Sequence, residues 1–544
     1  MAEVDVVVVG AGFAGLYQLH RLRGLGFSVQ VLEAGDGVGG TWYWNRYPGA
    51  RCDVQSFDYS YSFDPELEQE WRWSERYATQ PEIRAYLEHV ADRFDLRRDI
   101  RFSTRVEGAT FDEAVDRWTV TTDDGGTWSA RFVVMATGCL SVPKRPDLPG
   151  LESFRGETYL TAEWPAEGVE LAGRRVGVVG TGSTGIQFVT VAAREAAELV
   201  VFQRSPNFSL PAVNRPLDEE LDRSIKADYP ERRRLARASR RGYLVPELHG
   251  GRSALEVDDD ERRRVFEALW DNGGTGLVGA FPDVLLDEDA NRTAADFVRD
   301  RIHDLVDDPH TADALSPSDH PLGTRRPCVD TGYYETFNRE NVRLVDLRDE
   351  PVVEVTERGV RTGGGEYELD VLVFALGFDA VTGALLAMDV TGAGGRSLRD
   401  AWSGGPATYL GLATAGFPNL FTITGPGSPS VLSNMVVSIE QHVDWIAGLL
   451  THAGEHGITR IEARSEAQAD WTRHVAEAAE QTLYPRAAKS WYLGANVDGK
   501  PRGFLPYVGG VGPYGDICDD VASRGYEGFE LRGALRARER SAVS

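Results

Sequence analysis

Glycines at two places in this chain are spaced to hold a dinucleotide, and each set follows a run of valines. Gly10-Ala11-Gly12-Phe13-Ala14-Gly15 comes after Val6 to Val9, and Gly180-Thr181-Gly182-Ser183-Thr184-Gly185 after Val176 to Val179. A helical stretch follows each. In such a strand–turn–helix unit the first glycine permits the tight turn. The second lets the backbone approach a pyrophosphate, and the third lets helix pack on strand. The helix start then offers free N–H groups and a partial positive charge to the phosphates. The residue closing each unit's second strand separates the two. Phe27 to Val31 leads through Leu32 to Glu33, a carboxylate that accepts hydrogen bonds from ribose hydroxyls and repels a 2′-phosphate. Leu199 to Phe202 leads to Gln203-Arg204-Ser205, where a guanidinium and a hydroxyl suit a 2′-phosphate. The first site is therefore assigned to FAD and the second to NADPH.

The elements around these sites imply an α/β chain with two Rossmann-like domains. At 544 residues, 42% apolar and 10% aromatic, the chain has material for several cores. The arrangement resembles that of two-dinucleotide flavoproteins, and the resemblance implies that the chain leaves the FAD domain at Val133 to Gly138 and returns at Val371 to Asp379. The second dinucleotide domain is thus inserted in the first. Residues 1–142 form the first part of the FAD domain and 143–215 the first part of the NADP domain. A charge-rich helical insertion follows over 216–324, broken at Gly250-Gly251 and Gly273-Gly274. Residues 325–379 and 380–544 complete the NADP and FAD domains. Helical patterns run over Val431 to Leu450, which carries His442 in a structural role, and over Ser465 to Leu483. The polar tail from Ala534 is expected to fray.

A net charge of −26 with a pI near 4.9 argues against nucleic-acid partners. The basic stretch Glu231-Arg232-Arg233-Arg234, with Arg237, Arg240 and Arg241, reads as a solvated helical face. The four cysteines (Cys52, Cys139, Cys328 and Cys518) form no CxxC pair, which excludes a redox-disulfide flavoenzyme and a zinc site. They suggest the reducing cytoplasm. The acidic start is no signal peptide and no apolar run is long enough to span a membrane, so no membrane partner is expected. Nothing in the sequence specifies an oligomeric state.

Further segments carry a family likeness. Gly40-Thr41-Trp42-Tyr43-Trp44-Asn45-Arg46-Tyr47-Pro48-Gly49-Ala50-Arg51-Cys52-Asp53 resembles the GxWxxxxYPGxxxD signature of type I Baeyer–Villiger monooxygenases. Phe154 to Pro165 resembles their FxGxxxHxxxWP linker. Phe202 to Pro206, Gly323 to Asp330, Gly425 to Ser430 and Ser490 to Asn496 are similar to further segments of that family. The likeness runs over nearly the whole chain. It implies Arg326 as the catalytic arginine, with Asp53 holding and modulating it, and Arg325 joining Arg204 and Ser205 on the 2′-phosphate. It implies a substrate-facing loop at Ser430, Val431 and Leu432, and a mobile segment over NADP at Trp491. Thr41, Trp42 and Tyr47-Pro48-Gly49 are placed beside the flavin, with aromatic core packing the alternative for Trp42. Thr184 and Gln187 are candidates for contact with NADPH, with helix-surface packing as the alternative. Two residues depart from the family pattern. The linker histidine is Leu160, and the return crossing reads Ala375-Leu376-Gly377 where Ala-Thr-Gly is usual.

The expected reaction joins a small-molecule ketone with O₂. NADPH reduces FAD, and the reduced flavin traps O₂ as a C4a-peroxide. Kept anionic by a fixed cation in a dry site, the peroxide attacks the carbonyl and yields an ester or lactone, with sulfide oxidation secondary. Two alternatives are open: N- or S-oxygenation by a related two-dinucleotide monooxygenase, and uncoupled NADPH oxidation, which Leu160 keeps in view.

Overall fold

The computed structural model describes residues 2–533, and the tail from Ala534 lies outside them. Two sheets organise the chain. In the first, strand Ala2–Val9 lies parallel between Val29–Leu32 and Thr127–Met135, with Val8 opposite both Val31 and Val134. Val6, Val7 and Val8 are fully buried. A strand covered on both faces needs no polar alternation, which is why the run is all valine. An antiparallel meander of Val106–Asp112, Arg117–Thr122 and Thr127–Met135 extends the sheet, and the late strands Asp389–Thr391 and Leu420–Thr422 join it. Helices Phe13–Gly24 and Met435–Glu455 cover one face and are pinned together where Tyr17 and Arg21 both reach Asp444.

The second sheet is wholly parallel, in the order Val342–Asp346, Glu198–Gln203, Arg175–Val179, Val371–Phe374, Glu157–Leu160. Every one of its strands falls between Met135 and Asp389, so the second dinucleotide unit is inserted in the first. The outgoing and returning chains run side by side: Pro143 pairs with Phe378, and the Lys144 N–H donates to the Gly377 carbonyl. A small antiparallel sheet over 352–368, a parallel pair, Ser209–Pro211 with Cys328–Asp330, and an antiparallel pair, Ile458–Ala463 with Phe529–Gly533, complete the sheets of the described residues and were not anticipated from the sequence.

The inserted helices include Glu219–Ala238, Asp259–Asn272 and Glu288–Leu305. Phe266, Phe297 and Val298 pack into one continuous core with Val178, Ile186 and Val201 of the second unit. The insertion is therefore welded to that unit. Its first helix also docks on the first unit, which corrects the reading of its arginines as a solvated face. Arg232 makes a two-point ion pair with Asp58 at 2.7 Å, and buried Arg233 meets Glu68 at 2.8 Å. Their carboxylate partners lie far away in sequence, which is why composition alone hid the contact.

Leu160 ends an edge strand opposite Phe374. It is half-buried, packing on the apolar cluster that contains Phe374, and Leu376 packs on the same cluster. Both departures from the family pattern thus enlarge one apolar cluster. Leu160→His would press an imidazole against this cluster at a cost of about 1–2 kcal/mol. The thermal midpoint of the FAD-loaded variant is expected to fall below that of wild type; an unchanged or raised midpoint would show that Leu160 contributes no packing.

Candidate functional site

Each fingerprint folds as its glycines require. Gly10 has φ +104°, and a Cβ on Gly15 would lie 1.8 Å from the Gly10 carbonyl oxygen. The second unit repeats this: Gly180 has φ +112°, and a Cβ on Gly185 would lie 2.1 Å from the Gly180 oxygen. Gly12 backs onto Gly40, which brings Thr41, the first residue of a single helical turn, beside the first fingerprint. The Glu33 carboxylate, at the end of its strand, receives the N–H groups of Ala11 and Gly35, each at 2.7 Å. Burial pushes its pKa up, against the pull of those hydrogen bonds.

At the matching place in the second unit, Arg204 is exposed, and among the described residues no carboxylate lies within ion-pair distance of it. Ser205 accepts from Thr181 through its carbonyl. Lys144, which sequence reasoning passed over, lies close enough to Arg204 that, after burial, the arginine's charge is the next cause depressing its pKa. Arg325 is paired with Asp319 at 3.0 Å. A carboxylate-lined first site and a second site with an unpaired cation fit FAD and NADPH respectively.

Asp53 and Arg326 meet where three stretches of chain converge. Arg326 donates from Nε to Asp53 Oδ2 at 2.6 Å and from Nη2 to Oδ1 at 2.8 Å, while Nη1 donates to the Val431 carbonyl at 2.6 Å. Burial alone would raise the Asp53 pKa, but the adjacent guanidinium more than offsets it, leaving a net shift downward. Burial pulls Arg326 the other way, and Asp53 again prevails, so the arginine is a permanent cation. A guanidinium has five N–H donors. Three are engaged here, and the side chain stays 29% exposed, so donors remain to face a reactant.

The Val431 contact exists because the following helix begins at Met435 and not at Val431 as the sequence pattern suggested. The Asn434 side chain caps it by accepting from Val436 N–H. Ser430–Leu432 is left as a separate turn whose carbonyl reaches Arg326. Val431 and Tyr492 are buried together there, with Leu432, Trp491 and Phe504 packed around them. Asn207 donates to the Arg326 carbonyl at 3.2 Å and to Cys328 Sγ at 3.3 Å, and Cys328 Sγ lies 3.2 Å from the Ser183 hydroxyl. The arginine's backbone is thereby tied to the second fingerprint. Asn207 and Tyr492 were missed because only three-dimensional neighbours reveal them.

Other expected site residues take different places. Gln187 accepts from the Tyr47 hydroxyl at 2.8 Å and donates to the Arg51 carbonyl at 3.0 Å. Gly49 sits against this helix so closely that a Cβ would lie 2.4 Å from the Gln187 carbonyl oxygen. Tyr47-Pro48-Gly49 and Gln187 are thus a bridge between the two units. Thr184 lies beside the Tyr47 hydroxyl at the same bridge. Trp42 is buried in the core of the first unit, donating to the Tyr59 hydroxyl at 3.3 Å. His442 is fully buried, accepts from Thr424 N–H at 2.9 Å, and is held neutral by burial at a pKa of about 3.

The profile of the pyridine nucleotide-disulphide oxidoreductase family matches residues 4–228. All four cysteines are free and buried, so what is shared is the dinucleotide scaffold and not disulfide chemistry. A phenazine N-monooxygenase of Lysobacter antibioticus is 44% identical, covering 97% of each chain. A Baeyer–Villiger monooxygenase of Pseudooceanicola batsensis is 42% identical, covering 96% of each. A solved steroid monooxygenase bound to NADP superposes with a TM-score of 0.94 at 54% identity, covering 98% of this chain and 100% of that one.

Two outcomes are expected. Gly185→Ala forces strand and helix apart in the second unit only. The NADPH concentration needed for half-maximal flavin reduction should rise at least about tenfold with FAD content unchanged, and parallel loss of FAD would refute this division. Replacing Asp53 by Asn should cost about 2–3 kcal/mol near pH 7 by leaving Arg326 without its counter-charge. The Asp53 pKa is depressed on folding, so its contribution is fully present above the usual carboxylate value of about 3.9. That contribution is lost as pH falls through the lower folded value. The stability gap between wild type and Asp53→Asn, followed by thermal denaturation, should therefore close on the acid side; a gap that widens there would reverse the assignment.

Proposed function

The chain belongs to the Baeyer–Villiger monooxygenases, FAD- and NADPH-dependent enzymes, and from that premise we propose that Arg326, clamped by Asp53, is the cation on which ketone oxygenation turns. The net reaction consumes ketone, O₂, NADPH and a proton, and forms ester or lactone, water and NADP⁺. FAD, when bound along the first fingerprint and Glu33, takes hydride from NADPH and supplies the electrons that activate dioxygen. The protein supplies placement and charge. Arg204, Ser205, Lys144 and Arg325 hold the 2′-phosphate end of NADPH, and Ser183 and Thr184 lie at the helix start that faces its pyrophosphate. Trp491 packs over the chain crossings beside Ala380 and Val381, where it closes on the cofactor as a lid. Ser430, Val431 and Leu432 face the substrate.

One observation carries this reading. Arg326 is locked by two oxygens of one carboxylate and one carbonyl, yet keeps free donors. Such a cation stabilises negative charge developing on oxygen with no reorganisation cost at the moment of reaction. Asp53 orients it and, being ionised throughout the neutral range, sets how much positive charge the site presents. Sulfide oxidation, which needs an electrophilic oxygen, is a minor activity of the same site. We place the protein in the cytoplasm, on the strength of its free, buried cysteines. Among the described residues no helix is long and apolar enough to cross a membrane.

A second reading, oxygenation of an aromatic nitrogen, is favoured by the 44% identity to the phenazine N-monooxygenase. A nucleophilic nitrogen needs no cation to attack an electrophilic oxygen, so the arginine separates the two. Arg326→Ala should lower ester formation from cyclic ketones at least about 100-fold while NADPH still reduces the flavin. Stimulation of NADPH consumption in wild type by phenazines and not by ketones, with N-oxide as product, would instead establish the second reading.

A further inference from the structure

Beyond the catalytic junction, a partly open pocket of about 400 Å³ lies between the first unit and the inserted helices. Its volume falls in the ~300–1,000 Å³ range of small-molecule sites. One wall is aliphatic: Leu221 and Ile225 from helix Glu219–Ala238, with Leu217 just before it. Phe57 closes the other side, its ring covered by Arg232, which is itself neutralised by Asp58. Two further arginines, Arg76 and Arg215, line the same space.

These two are the anomaly. Arg76 is 5% exposed, and its side chain donates to the Asn272 carbonyl at 2.5 Å. Among the described residues neither Arg76 nor Arg215 has a carboxylate within ion-pair distance. The nearby Glu75 is occupied by Arg51 and Asn214. Burial lowers the Arg76 pKa, Tyr77 opposes it, and the like charge of Arg215 adds a lesser lowering. The chain holds 84 acidic against 58 basic residues, so carboxylates are in surplus. Leaving the buried Arg76 guanidinium unneutralised beside an aliphatic wall is costly unless a counter-charge arrives from outside, whereas the exposed Arg215 is solvated and free to share that counter-charge.

We propose that this cavity binds an amphiphilic monocarboxylate, a medium-chain fatty-acid-like molecule whose carboxylate sits between Arg76 and Arg215 and whose chain lies along Leu217, Leu221 and Ile225. The planar carboxylate matches a guanidinium fork at two points. The apolar wall binds the chain through burial. Neither Arg326 nor Asp53 lines this pocket, and binding there needs no turnover, so the proposal stands apart from the oxygenation reading.

Decanoate and decanol serve as probes, titrated calorimetrically into the FAD-loaded enzyme. Decanoate should bind at least about tenfold more tightly than decanol, and less tightly at high salt. Arg215 is exposed and makes no side-chain hydrogen bond in the described structure, so Arg215→Ala should fold and keep wild-type turnover of a neutral ketone. It should weaken decanoate at least about tenfold, with Arg215→Lys restoring part of the loss. Arg76→Gln should act in the same direction. Arg326→Ala should leave decanoate binding unchanged. Equal affinity for decanol, wild-type decanoate binding in Arg215→Ala, or loss of binding in Arg326→Ala would each overturn the proposal.

Discussion

A positive charge that is held firmly but not used up is the constraint around which this fold is arranged. A lone guanidinium in a partly dry site would be costly to desolvate, and one fully enclosed by carboxylates would have nothing left to offer a reactant. The Asp53–Arg326 pair lies between these extremes. Two short hydrogen bonds to one carboxylate repay desolvation and fix the plane of the group, and the Val431 carbonyl fixes its rotation. Both groups keep about a quarter of their surface, so the cation stays available. Because the partners come from Asp53, Arg326 and Val431, the cation exists as a site only when both dinucleotide units and the C-terminal part of the first are correctly seated. Charge placement here is a consequence of domain assembly.

The joints between the units are built to transmit that seating. Gly49 lets the Tyr47–Arg51 loop touch the helix of the second fingerprint, and Gln187 secures it from the other side with both ends of its amide. Ser183, Cys328 and Asn207 form a chain of contacts from that fingerprint to the Arg326 backbone. Arg232 and Arg233 add a third joint, carried by the inserted helices, through Asp58 and Glu68. The helices sit in the second unit's core and also pair with the first.

Much of this was legible in the sequence, and what was not has a physical cause. Glycine positions, valine runs and the residue after each second strand are local signals, since backbone turn, burial on both faces and phosphate charge act within one unit. The insertion of one unit in the other came from resemblance to two-dinucleotide flavoproteins, located on two apolar runs. Asp53 and Arg326 came from family likeness; their separation of 273 residues carries no local pattern. The bridging role of Gln187 was invisible because a helical glutamine facing a cofactor and one facing a neighbouring loop have the same sequence. The start of the long helix was misplaced at Val431 because apolar periodicity continues through Ser430–Leu432, whereas the Asn434 cap decides the boundary. The arginine run was misread because ion pairing with Asp58 and Glu68 is a tertiary matter.

The two departures from the family pattern make sense only together. Leu160 lies opposite Phe374 on the edge of the second sheet, and Leu376 follows Phe374 at the crossing back into the first unit. Both leucines pack on the cluster that includes Phe202, Phe374 and Leu372. A histidine and a threonine in such neighbouring positions would each bring polar atoms needing partners. A leucine at one position beside a polar group at the other would leave that group poorly satisfied, whereas leucines at both replace directional bonding with burial. Burial holds two surfaces together without fixing a single hydrogen-bond geometry. The linker in this chain is therefore tied to the second sheet by strand pairing with Val371–Phe374, by the Thr161 hydroxyl donating to the Phe374 carbonyl at 3.3 Å, and by leucine packing where the family has a histidine.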